Sequence, residues 1–232
     1  MLNFLKVPDM NKLKIFTAKA GWGILLLTML FAACKKDDHF IGGSLSKDHT
    51  DLTTYDYLKA NADFDTLILL IDKAGLKETI NSDVTFVAPT DYSIKLFLAS
   101  RTRALQAATN NENIKYTIDS IKAPELRDSL LAYVFNGKIV RTDLSLEAQV
   151  YKNKVGEDFA FKLVKGPYGG VFAAGTTLMA LVKVINGLDP NPRPDEFPDA
   201  DKDKEYTLQT TGIITTTGVL HVMQNNHVFY WK

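Results

Sequence analysis

Cysteine occurs once in the 232 residues, which rules out an internal disulfide and leaves the redox compartment unreadable by that route. An excess of either charge is lacking too, since 27 basic residues meet 27 acidic ones. The balance is uneven along the chain. The first 33 residues hold Lys6, Lys12, Lys14 and Lys19 against Asp9 alone; without them, 23 basic and 26 acidic residues remain. A general affinity for nucleic acid needs a basic face, so no nucleic-acid partner is expected. No apolar run reaches the roughly 20 residues of a comfortable membrane-spanning helix. Catalytic signatures are also missing: there is no G-x-S-x-G elbow, no H-E-x-x-H helix, no phosphate-binding P-loop and no G-x-G-x-x-G after a strand.

What is present is a globular composition, 46% apolar and 10% aromatic, preceded by a targeting segment. Lys12, Lys14 and Lys19 lead into the short apolar stretch Ala20 to Ala33, which ends in small residues. That order makes a secretory signal, with translation starting at Met1 or Met10. Phe31-Ala32-Ala33-Cys34 resembles the lipobox, in which small residues admit the lipoprotein signal peptidase and the following cysteine carries the lipid. Lys35, Lys36, Asp37 and Asp38 follow, and resemble the signal that sends lipoproteins of the Bacteroidetes to the outer face of the outer membrane. Cys34 is therefore the expected lipidation site, and the membrane, reached through that lipid, the expected first partner.

The organisation expected is a signal peptide over 1–33, a lipidated flexible tether over 34–51, and one domain over 52–232. Thr53 or Thr54 can cap a helix whose buried face uses Leu58, Phe64, Leu67, Leu70 and Ile71 and which Gly75 ends. Val84 to Ala88 is a strand stopped by Pro89, and Thr90 or Asp91 caps the next helix, with Ile94, Phe97 and Leu98 inward. Ser100 to Lys122 is polar and aperiodic, and is read as an insertion. Pro124 opens a helix with the stripe Leu126, Leu130, Leu131 and Val134, ended by Asn136-Gly137. Strands are expected at Lys138 to Leu144, Gln149 to Val155, Phe159 to Val164, Thr177 to Ile185, Tyr206 to Thr211 and Val219 to Tyr230. A second insertion, exposed and proline-rich, is expected near 187–205. Helices first and strands after make an α+β domain.

Three stretches together resemble the fasciclin domain. Thr85-Phe86-Val87-Ala88-Pro89-Thr90-Asp91 resembles its first signature and Thr217-Gly218-Val219-Leu220-His221-Val222-Met223 its second. Between them, the segment from Leu130 through Tyr133 to Lys138 resembles the helix-to-strand stretch that carries a Tyr-His pair. The resemblance implies a fasciclin-like fold, with N-terminal helices packed on a β-sandwich or wedge of mostly antiparallel strands. Val134 departs from the pattern where the central histidine would stand, and Thr217 where an asparagine would precede Gly218.

The residues explain much of this without a ligand. Pro89 fixes the strand exit and Thr90 caps the helix; His221 points away from Leu220 and Val222 as a buried, hydrogen-bonded structural histidine. Asp199, Asp201 and Asp203 alternate as in a calcium loop, but Lys204 stands where such a loop needs glycine. No metal, cofactor or enzymatic activity is expected. Phe159 and Phe161 belong to the core, whereas Tyr168, in a glycine-rich turn, is the candidate for exposed ligand contact. The function expected is a surface-displayed, lipid-anchored, non-catalytic binding module mediating cell adhesion or protein–protein contact, with a protein or polysaccharide ligand. The alternative is a glycan-binding or accessory subunit of an outer-membrane nutrient-uptake complex.

Overall fold

A computed structural model describes residues 48–166 and 177–229. The signal segment, Cys34, the four charged residues after it, and Tyr168 lie outside the described residues. Thr53 opens helix α1 (Thr54–Lys59), its hydroxyl accepting from the Asp56 amide at 3.1 Å. The expected single helix is in fact two. Asn61 takes the amide of Asp63 with its own side chain, which competes with the helical ladder and starts a short 3-10 turn, Ala62–Phe64. Helix α2 (Asp65–Ala74) then runs to Gly75, whose φ of +65° suits glycine and lets Leu76 bond back to the Ile71 carbonyl. Leu58, Phe64, Leu67, Leu70 and Ile71 are all buried, and α3 (Lys77–Ile80) adds Ile80 to them.

Strand β1 (Val84–Ala88) is followed by Thr90, which caps α4 (Asp91–Thr109) by accepting from Ser93 N. The reading of Ser100 to Lys122 as an insertion is corrected over its first part, because α4 continues to Thr109. Only Ser93, Ile94 and Phe97 of this helix are buried, so its second half carries no apolar stripe to betray it. Helix propensity in Arg101 to Ala108 sustains it instead. Helix α5 (Ala123–Leu131), with Pro124 in its first turn, ends earlier than expected. Val134 belongs not to its stripe but to β2 (Val134–Asn136), paired with β1.

No strand forms over Lys138 to Leu144. The Thr85 hydroxyl donates to the Gly137 carbonyl and accepts from Ile139 N, both at 2.8 Å, so that backbone is satisfied by a side chain rather than a ladder. Strands β3 (Gln149–Lys152), β4 (Asp158–Lys165), β5 (Thr177–Lys183) and β6 (Lys204–Ile214) follow. The last, β7 (Val219–Met223), stops well short of Tyr230, where a turn closes through His227 N to the Gln224 carbonyl.

Among the described residues the seven strands form one sheet in the order β2-β1-β7-β6-β5-β4-β3, parallel only between β1 and β7. The chain has the expected α+β architecture. β6 pairs with β5 through Lys204–Thr207 and with β7 through Leu208–Ile214, so two half-sheets meet along it. The outer strands then curl together: Phe135 bridges to Asn153, and Lys154 N donates to the Val134 carbonyl at 2.8 Å. Phe135 thereby packs edge-on against Phe159 and Phe161. Helix α2 packs on α4 and α5, and the helical and sheet residues share one apolar core. Each fully buried Leu, Ile or Phe in it contributes roughly 1.5–3 kcal/mol.

Candidate functional site

The signature residues converge on the centre of the sheet. Thr85, Phe86 and Ala88 lie on β1, paired through Thr85–Ala88 with Val219–Val222 of β7. Both strands are buried along their whole length. Pro89, with no amide hydrogen to extend the ladder, ends β1, and Thr90 turns the chain into α4. Gly218 leads into β7 against the backbone at the start of β1. A Cβ there would sit 2.3 Å from the Val84 carbonyl oxygen, so no side chain fits. Beside it, Thr217 uses its hydroxyl to accept from Thr54 N at 3.2 Å, and Thr215 accepts from Gly218 N at 2.9 Å. The threonine at 217 thus ties the turn to the first helix.

His221 is fully buried. Its Nδ1 accepts from Gly212 N at 3.0 Å, so Nε2 carries the proton and donates to the Ile139 carbonyl at 2.9 Å. Burial pushes its pKa down to about 4, against the smaller upward pull of the Ile139 carbonyl. A neutral imidazole with both nitrogens bound has no valence left for a metal or a substrate.

Tyr133 is fully buried as well, and its neighbour Val134 supplies no imidazole. The partner arrives from the far end of the chain: the Tyr133 hydroxyl and His227 Nε2 share a 2.6 Å hydrogen bond. Burial lowers the His227 pKa to about 4. Tyr206 meets the same imidazole edge-on, and Phe229 stacks on Tyr133 while meeting Phe97 edge-on. Thr90 donates to Asn225 Oδ1 at 2.8 Å, and Phe229 N to the Ser93 carbonyl. The segment after β7 is therefore strapped across the start of α4. Sequence reading missed His227 as a partner of Tyr133 because 94 residues separate them and no periodicity links a turn to a strand.

Asn153 was missed for a similar reason. Its buried amide donates to the Ala132 carbonyl and the Glu157 carboxylate, and its oxygen accepts from Val155 N and Glu157 N. This one side chain builds the β3–β4 turn and ties it to the end of α5. The alternating acids near 200 are structural too. Asp203 accepts from Ile185 N and Asp189 N, Asp201 accepts from the Asn186 amide, and Asp199 pairs with Lys202. No group of three potential metal ligands occurs among the described residues, and no described helix is long and apolar enough to cross a membrane.

The surface is where unspent chemistry remains. A hollow between α5 and the β3–β4 turn, and another beside the 187–205 loop, are lined by charges of both signs. A third, larger groove of about 990 Å³ runs along α4 beside the returning segment 115–118. It presents mostly apolar surface.

Comparison with known proteins gives likenesses of two kinds. The family described as the fasciclin domain matches residues 62–186, more than half of the 232. Among solved structures, the FAS1 domain pair of the insect cell adhesion molecule fasciclin I is similar over 71% of this chain, at 11% identity and a TM-score of 0.40. This chain spans 45% of that structure's length. No curated protein matches significantly.

Proposed function

The chain belongs to the fasciclin domain family, whose members are generally non-catalytic binding modules associated with adhesion, and from that premise we propose that it is a lipid-anchored binding module displayed on the outer cell surface. It mediates adhesion or protein–protein contact there. The observation that carries this reading is the saturation of the signature residues. Thr85, Thr90, Tyr133 and His221 each satisfy their polar atoms inside the fold, so they build a scaffold and leave recognition to the exposed surface.

The anchor rests on Cys34, the sole cysteine, placed directly after Phe31-Ala32-Ala33; the outer face rests on Lys35-Lys36-Asp37-Asp38. Two or more acyl chains hold a protein stably on a membrane. Cys34→Ala releases the protein from the membrane fraction, and a variant that stays bound defeats the anchor. Deleting 52–232 while keeping the tether abolishes surface adhesion or partner capture. Unchanged adhesion by that deletion defeats the module. Co-purification of the intact protein with an outer-membrane transporter would turn the reading towards an accessory role in uptake.

A further inference from the structure

Helix α4 outruns the core it packs on. Its positions from Asp91 to Gln106 span about 22 Å, and the returning chain lies beside rather than over them. α4 holds that return at two points, and Lys73 of α2 holds it at a third by donating to the Ile118 carbonyl at 2.8 Å. The Gln106 amide donates to the Glu112 and Ile114 carbonyls, at 2.7 and 3.1 Å. Tyr116 N donates to the Thr102 hydroxyl at 3.0 Å. The space between is the 990 Å³ groove, near the upper end of ligand-site volumes.

Its walls combine two features. Leu98, Ala99, Tyr116 and Ile118 give an apolar floor, with Tyr92 half exposed at one end. Lys95, Arg103 and Lys115 stand exposed along it, and none of the three forms an ion pair with a described residue. Lys95, Ala99 and Arg103 recur every four residues and so share one helix face. The one acidic residue in the lining, Asp91, is already committed, accepting from Thr66 N and Leu67 N at the start of α2. In the hollow beside the 187–205 loop, by contrast, Lys162 pairs with Glu205 and Arg193 with Asp189. What sets the groove apart is that three exposed cations border an apolar floor, which gives a local positive field on a chain with no net charge.

We propose that the groove between α4 and the 115–118 segment binds an acidic peptide segment bearing apolar anchor side chains, contributed by the protein that this module contacts. The inference rests on the binding-module reading above. An extended peptide of about seven residues spans the groove. Its apolar side chains fill the floor, and its carboxylates meet Lys95, Lys115 and the forked guanidinium of Arg103. Leu98, Ala99 and Ile118 suit peptide side chains. Of the two rings in the lining, Tyr116 packs against Phe97 while only Tyr92 is exposed, so a sugar chain would find a single open aromatic face. Three cations are too few for nucleic acid, which recruits a longer basic track.

The test uses the full chain in detergent and a display library of short random peptides. The selected pool is enriched in Asp and Glu interleaved with Leu, Ile or Phe. Binding of such a peptide weakens about tenfold or more in Lys95→Glu/Arg103→Glu and falls with added salt. The same double variant gains binding to the matching basic peptide, an outcome that misfolding cannot produce. A pool without acidic enrichment, or affinity unchanged by the double variant, overturns the proposal. So does binding of polygalacturonate in place of any peptide, which would make the occupant an anionic glycan. If the double variant still supports surface adhesion at wild-type level, the groove is not the contact while the module reading stands. Adhesion surviving deletion of 52–232 defeats the module itself.

Discussion

The β1–β7 centre and the α4 groove use their polar side chains to opposite ends. At the centre, Thr85, Tyr133, His221 and His227 are buried, and each has a specified partner. Along the groove, Lys95, Arg103 and Lys115 are exposed beside apolar wall, and the one carboxylate in the lining, Asp91, is taken up by Thr66 N and Leu67 N. Burying a polar group costs free energy unless it is bonded, so the centre tolerates almost no change. The groove costs the fold nothing, so it is free to vary with the partner. The family signature marks the region that cannot vary, which is why it reveals the fold and stays silent on the ligand.

This contrast can be broken most sharply at Gly218. Gly218→Ala places a methyl group against backbone, which cannot rotate away as a side chain would, and should cost about 4 kcal/mol or leave the protein unfolded. Chemical denaturation of purified protein reads the loss; an unchanged midpoint would mean that the two strands separate freely. Next in size is pH. Both buried imidazoles titrate near 4 when folded, against about 6.5 in the unfolded chain. The unfolded chain therefore takes up protons first on acidification. The stability the histidines contribute is complete above about pH 6.5 and is lost as the pH falls towards 4, by roughly 3 kcal/mol per histidine. Denaturation midpoints across that range measure it, and His227→Gln should remove about half of the histidine-linked slope.

Tyr133→Phe removes one partner of a buried hydrogen bond while keeping the ring stacked on Phe229, and should cost about 2 kcal/mol. A loss no greater than that of an exposed substitution would show that water reaches His227. The smallest effect belongs to the groove. Arg103→Glu should change stability by no more than about 0.5 kcal/mol, since no described contact is lost. A thermal melt that moved by several degrees would erase the distinction between scaffold and surface.

Much of the centre was legible in the sequence because its cues are local. Pro89 and Thr90 carry their structural reasons within a few residues, and Phe159 and Phe161 follow from strand alternation. What stayed hidden depends on contacts across the chain. The partnership of Tyr133 with His227 needs the turn after β7, and the role of Asn153 needs β2 to be beside it. Helix α4 escaped notice past Ser100 because a helix half in water shows no stripe, and the groove it borders escaped with it. Lys138 to Leu144 has strand-like residues, yet Thr85 claims the backbone that a ladder would have used.

The meeting of β2 with β3 bears on how another protein can attach. An open sheet offers its margin as a template, and many recognition domains bind peptides by letting them join as an extra strand. Here the two margins meet through Asn153, Lys154 and Val134, and the margins themselves are only three and four residues long. Strand addition has little room to begin, by a partner or by a neighbouring copy at high density. Crowded molecules of this kind should resist fibrillar association, and what they hold must be gripped by side chains.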